Sequence, residues 1–213
     1  MSMKINKHVL IYALAIYVLW TAWCILMVKW PLLFGAPNIR AIVRVLVVLV
    51  PSILYARGKG ATRKDDFCLL RHNWQKGVLA GVSTVLVYLM ALYLTTAAPL
   101  RFHWPTGFAT WGNWILGSPL AEELFFRGVV LRELLNSTVT KMAILGSATL
   151  FAVLHLPWWI ISGEKTGTAL RTGFLTMMVY GVVFAILVTT TKSLWASLIP
   201  HWCNNFVAMA IRV

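Results

Sequence analysis

Apolar runs of bilayer-spanning length follow one another along most of this sequence, at residues 9–28, 40–56, 77–98, 118–135, 139–158, 169–191 and 194–211. A hydrocarbon core about 30 Å thick takes roughly 20 apolar helical residues. A succession of such runs therefore predicts an all-α fold, a polytopic transmembrane helical bundle of about six to seven spans. Composition excludes the other broad classes: 60% of the chain is apolar, 12% is charged and the mean hydropathy is +0.78. A soluble globule carries about twice that charge, and a disordered chain has far less to bury. The first run follows Lys4 and Lys7, is long for a signal-peptide core, and is not followed by a small-residue cleavage pattern. It reads as a retained anchor.

Breakers divide the runs. Trp30-Pro31 closes the first, Pro51 predicts a kink in the second, and Pro157 predicts the end of the fifth, while Pro200 falls inside the seventh. The most polar stretch is 57–76, with Asp65-Asp66, and the loop 99–112 holds Trp104 and Trp111, suited to a membrane–water interface. Gly117-Ser118-Pro119 predicts a helix start, with Ser118 as N-cap and Pro119 at the first helical position. Neither repeats nor a long linker interrupt the chain, so 1–213 reads as one membrane domain: N-terminal helices over 1–113 and a core over 114–213. The net charge is +13. Its basic residues mostly flank apolar runs, which points to topology signals and anionic lipid partners and not to nucleic acid. The bias of Lys and Arg favours the N-terminus inside, with Lys29, Arg40, Arg44 and Lys165 among the outer-side residues. Cys24, Cys68 and Cys203 are odd in number and lack a C-x-x-C spacing, so no disulfide framework is expected. His8, His72 and His103 lie in terminal or loop segments and are expected to be solvated, and Asn136-Ser137-Thr138, a glycosylation triplet in a short inner loop, is expected to be inert.

Only six acidic residues occur, and two of them, Glu122 and Glu123, stand together in the apolar stretch 119–128. Ionisable groups at membrane depth are costly and point to function by default. Successive helical residues are rotated by about 100°, so the two carboxylates are not expected to share a centre. Glu123 and Arg127, four apart with the acid first, predict a helical ion pair, which leaves Glu122 without a local partner. His155 ends the run 150–154, and His201 and Asn205 share a face of the last helix. Depth supports a meeting of these groups. If helices four and five turn near Thr138, Glu122 and His155 lie roughly 24 and 26 Å from that turn, and Asn205 and His201 lie roughly 18 and 12 Å into the last helix from the same side. They converge in one layer.

A carboxylate, two imidazoles and an amide suit hydrolysis of a carbonyl compound. Glu122, assisted by His155, takes a proton from water, and His201 with Asn205 donates to the developing oxyanion. The competing chemistry is zinc held by Glu122, His155 and His201 with an open position for water, although an H-E-x-x-H helix is absent.

Glu-Glu-x-x-x-Arg at Glu122, Glu123 and Arg127, Phe-x-x-x-His from Phe151 to His155, and His-x-x-x-Asn from His201 to Asn205 resemble the three motifs of the CPBP intramembrane proteases. That family is also called Abi or type II CAAX prenyl endopeptidase and includes the Rce1-type enzymes. The resemblance covers about 118–213; residues 1–113 match only as generic membrane helices. It implies a helical bundle with an intramembrane catalytic cavity and endopeptidase activity on a membrane-associated, prenylated or hydrophobic peptide or protein. It also implies Glu122 as catalytic base, His155 as its partner, His201 and Asn205 as oxyanion stabilisers, and Glu123 and Arg127 as supporting residues, with a metal-free glutamate mechanism preferred. Compact relatives of this kind are tied to peptide maturation or bacteriocin self-immunity, and the short loops favour a bacterial or archaeal plasma membrane. Two other readings compete. One is a proton-coupled transporter, which would need a through-path and often shows repeats. The other is a non-catalytic membrane scaffold.

Overall fold

The computed structural model describes residues 7–58, 70, 73–96, 101–104, 106–107 and 110–212. Lys4, Asp65-Asp66, Cys68 and His72 lie outside the described residues, as do the side chain of His8 and most of the polar stretch 57–76. The described residues form a bundle of seven helical rods, α1 Lys7–Lys29, α2 37–58, α3 Trp74–Thr95, α4 110–137, α5 Thr140–Ile161, α6 Gly167–Thr191 and α7 Trp195–Ala210, with one further helical turn, Pro31–Phe34, between the first two. Four of them, α1, α3, α5 and α6, are each long and apolar enough to cross a membrane as an unbroken α-helix. Leu79, Tyr93, Leu175 and Val179 show most of their surface on the outside of α3 and α6. A surface of that kind is stable only in lipid, and the chain is an integral membrane protein.

The other three rods carry the irregularities. In α2 the backbone is π-wound over Val45–Leu49, immediately ahead of Pro51. In α4 it is π-wound over Thr110–Gly117, ahead of Pro119, and again over Leu124–Leu131. A proline lacks the amide its helix needs and crowds the carbonyl four residues back, and a locally wider turn relieves that crowding. This corrects the expected helix start. Ser118 is not an N-cap: α4 already runs through Gly117 with helical dihedrals (φ −72°, ψ −44°). Pro157 likewise lies inside α5 and does not end it. Pro200 lies inside α7 as expected.

The core is made by Phe125, Phe126, Leu131 and Val130 of α4 with Phe151 and Leu154 of α5, Ile16 of α1, Val48 of α2 and Ala185 of α6. α5 packs most extensively on α6, and α7 on α3. Glycines set both approaches. A Cβ on Gly181 would stand 2.8 Å from both Cα and Cβ of Ala148, and one on Gly77 would stand 2.6 Å from Cβ of Ser193, closer than atoms tolerate. At one end of the bundle β1 (Arg101–Phe102) pairs antiparallel with β2 (Ile211–Arg212). Beside it Phe102, Trp104, Trp111 and Phe206 form one aromatic cluster, with Trp104 and Trp111 ring centroids 5.5 Å apart, as suits an interfacial belt. His103 is exposed. Cys24 and Cys203 are free thiols.

Candidate active site

α4, α5 and α7 bring Glu122, His155, His201 and Asn205 to the wall of one cavity of about 370 Å³. Thr138 does mark the turn between α4 and α5, so the two groups counted from it arrive level. Aromatic side chains, among them Trp20, Trp114, Trp158 and Phe184, supply much of the remaining wall.

The tandem carboxylates divide as their helical rotation demands, but one imidazole reaches both. Nδ1 of His201 donates to Oε1 of Glu123 at 2.9 Å, and its Nε2 stands 3.8 Å from Oε2 of Glu122. The two acids stay apart, Glu122 on the cavity wall and Glu123 behind it, and the ring, which carries a nitrogen on each edge, sits between them. The i,i+4 ion pair forms as read, with Nη1 of Arg127 on Oε1 of Glu123 at 3.0 Å, both side chains 0% exposed. Nη2 of Arg127 donates to the carbonyl of Gly181 at 3.3 Å, and the guanidinium lies 4.5 Å over the ring of Phe151. Breaking such a pair leaves a charge without a partner and costs about 3–5 kcal/mol.

Glu122 has a local partner that the sequence reading missed. Ser118, one turn earlier, donates from Oγ to Oε1 of Glu122 at 2.6 Å, a short charge-assisted bond. The spacing of four is visible in the sequence, but a serine between a glycine and a proline has the pattern of a cap. That bond leaves Oε2 as the oxygen turned toward His201. His155 is held by Nδ1 on the carbonyl of Phe151 at 2.9 Å. With Nδ1 protonated to make that bond, Nε2 is the ring's acceptor. Asn205 donates one N–H to the carbonyl of Trp114 at 2.7 Å, which orients the amide and leaves its second N–H.

Two further cavity residues come from α2. Arg44 is buried, donates from Nη1 to Oδ1 of Asn113 at 3.0 Å, and lies 5.3 Å over both Trp20 and Trp114. Arg40 lies 5.6 Å over Trp158. Both line the cavity, so neither is the loop charge that the topology count made of it.

Zinc on Glu122, His155 and His201 requires three donors turned to one point at about 2 Å. Among the described residues no three His, Cys, Asp or Glu side chains gather in that way. Nε2 of His201 and Oε2 of Glu122 face each other across 3.8 Å. The arrangement is that of a hydrogen-bonded set.

Residues 103–207 match the family described as type II CAAX prenyl endopeptidase Rce1-like. No curated protein and no solved structure matches the chain. The matched stretch contains Glu122, Glu123, Arg127, His155, His201 and Asn205, and it excludes α1, α2 and α3. Over residues 103–207, the half of the chain that brings Glu122, His155, His201 and Asn205 to the cavity, the sequence is thus similar to the Rce1-like type II CAAX prenyl endopeptidases, which points to a protease.

Proposed function

We propose that the protein is an intramembrane endopeptidase that hydrolyses a peptide bond of a hydrophobic or prenylated, membrane-associated substrate with water activated by Glu122. The observation that carries this reading is the meeting of Glu122, His155, His201 and Asn205, from three helices, on one cavity wall. In the proposed reaction Oε2 of Glu122 removes a proton from water as the oxygen attacks the scissile carbonyl. The Nε2 acceptor of His155 helps to orient that water. The tetrahedral oxyanion accepts a hydrogen bond from the second N–H of Asn205, and one from Nε2 of His201 in the form of that ring that carries a proton on both nitrogens, Nδ1–H remaining on Glu123. Glu122 then returns its proton to the leaving amine as the C–N bond breaks. Ser118 positions Glu122, and the Glu123–Arg127 pair positions His201.

The pairing of Glu122, His155, His201 and Asn205 with fixed partners supports hydrolysis over a transporter, in which such groups change partners along a through-path. A scaffold would have no need of four polar groups facing one hollow. Peptide maturation or self-immunity in a bacterial or archaeal plasma membrane is the proposed setting. The test is cleavage of a hydrophobic peptide library by detergent-purified protein, with and without chelator. Cleavage that survives the chelator and is lost in His201→Ala is expected. Activity abolished by chelator and restored by added zinc would move the chemistry to a metal, and a folded wild type that cleaves nothing in the library would favour the scaffold.

A further inference from the structure

Arg40 and Arg44 are the feature of the cavity that hydrolysis leaves unused. They lie one helical turn apart on α2, on the same face, and both line the hollow that holds Glu122. Neither forms an ion pair with a carboxylate among the described residues. The acids near them are engaged elsewhere: Glu122 with Ser118 and His201, and Glu164, at the mouth, with the indole N–H of Trp158 at 2.6 Å. Nε of Arg40 is buried with no hydrogen-bond partner. The amide Nδ2 of Asn113, whose oxygen takes Nη1 of Arg44, is in the same condition. Buried donors nearly always find a partner, and arginine at membrane depth nearly always pairs. The aromatic faces of Trp20, Trp114 and Trp158 pack the two guanidiniums, but a ring face leaves the in-plane N–H donors free.

We infer that Arg40 and Arg44 form an anion subsite that binds a carboxylate of the substrate peptide. The guanidinium fork matches a carboxylate in two-pronged geometry. A cavity of about 370 Å³ is at the small end of ligand pockets, roughly 300–1,000 Å³. It admits a few residues and not a chain passing through, so the carboxylate at a peptide's C-terminal end is the source that fits best. An acidic side chain is the other source of the same chemistry. The inference takes from the proposed proteolysis only that a peptide enters this cavity.

The test separates binding from cleavage. Glu122→Gln protein in detergent is titrated with three N-acetylated apolar tetrapeptides, followed by the fluorescence of the cavity tryptophans. One ends in a free carboxylate, one in an amide, and one is the amide with an internal glutamate. The free acid is expected to bind about 10- to 100-fold more tightly than the amide, the range for a charged hydrogen bond. Arg40→Gln on that background should erase the preference, and Arg40→Lys should restore part of it. Arg44 is the more buried of the two, so Arg40→Gln carries the test, with its thermal melt recorded alongside. Tight binding of the glutamate-containing amide assigns the site to a side chain; weak binding assigns it to the chain end. Equal affinity for acid and amide, or a preference that survives Arg40→Gln, overturns the subsite. So does dioleoyl phosphatidylglycerol displacing acid and amide peptides alike, which gives the arginines to a lipid headgroup. Wild-type cleavage of acid and amide at equal rates defeats the subsite and leaves proteolysis standing. Acid-selective binding with no wild-type cleavage does the reverse.

Discussion

At the scale of single residues, the two adjacent glutamates are chemically equivalent and structurally opposite. Glu123 is enclosed by Arg127 and His201, with no exposed surface. Glu122 stands on the cavity wall with one oxygen on Ser118. Their substitutions should therefore fail in different ways. Glu123→Gln leaves the Arg127 guanidinium buried beside a neutral amide and should cost about 3–5 kcal/mol of stability, read as a lowered melting temperature in detergent. A melt unchanged from wild type would contradict the structural role. Ser118→Ala removes a charge-assisted hydrogen bond worth roughly 1.5–3 kcal/mol. It should reduce kcat about tenfold or more with KM little changed, because in the proposed reaction Ser118 orients the base without contacting the peptide. An equal change in KM would mean that the hydroxyl contacts the peptide. Asn205→Ala removes the proposed oxyanion donor and should lower kcat by about 100- to 1,000-fold, the loss typical of that change.

At the scale of elements, the functional side chains stand beside π-wound segments or helix-internal prolines, and the lipid-facing surfaces of α3 and α6 are on regular helix. Glu122 and Glu123 occupy the short α-helical stretch of α4 between its two π-wound segments, and Arg44 immediately precedes the π-wound part of α2. His155 and His201 stand next to or near prolines inside their helices. Wider turns and interrupted hydrogen bonds re-aim side chains within a helix. They also explain why the helix start at Ser118 was misread: a serine–proline pair that follows a glycine carries every mark of an N-terminus, and nothing local records a helix already in progress. The contact between α5 and α6 depends on a glycine. Gly181→Leu would force a side chain against the backbone of Ala148 and would displace the carbonyl that receives Arg127. Overpacking of this kind costs about 1–3 kcal/mol or more, and the variant should melt earlier and lose activity together. Full activity in Gly181→Leu would show that the α5–α6 spacing does not hold the site.

For the whole molecule, the legible part was the part fixed by cost. Lipid makes long apolar runs and rare buried charges conspicuous, so the bundle, the Glu123–Arg127 pair and the residues facing the cavity all stood out in the sequence. Ser118 did not, since a serine carries no such penalty. Arg40 and Arg44 did not either: arginines near the start of an apolar run look like topology signals until helix packing turns them inward against Trp20 and Trp114. Membrane residence follows from the exposed apolar faces of α3 and α6, and the protein should stay with the membrane fraction after alkaline carbonate washing. Release into the supernatant would contradict the embedded bundle. The central claim is that Glu122 activates water. It is tested most directly by the cleavage rate of Glu122→Gln beside wild type on one hydrophobic peptide, with matched melting curves. A folded Glu122→Gln protein with cleavage reduced by about 1,000-fold or more is the result expected for loss of an essential base; cleavage at the wild-type rate would contradict the account.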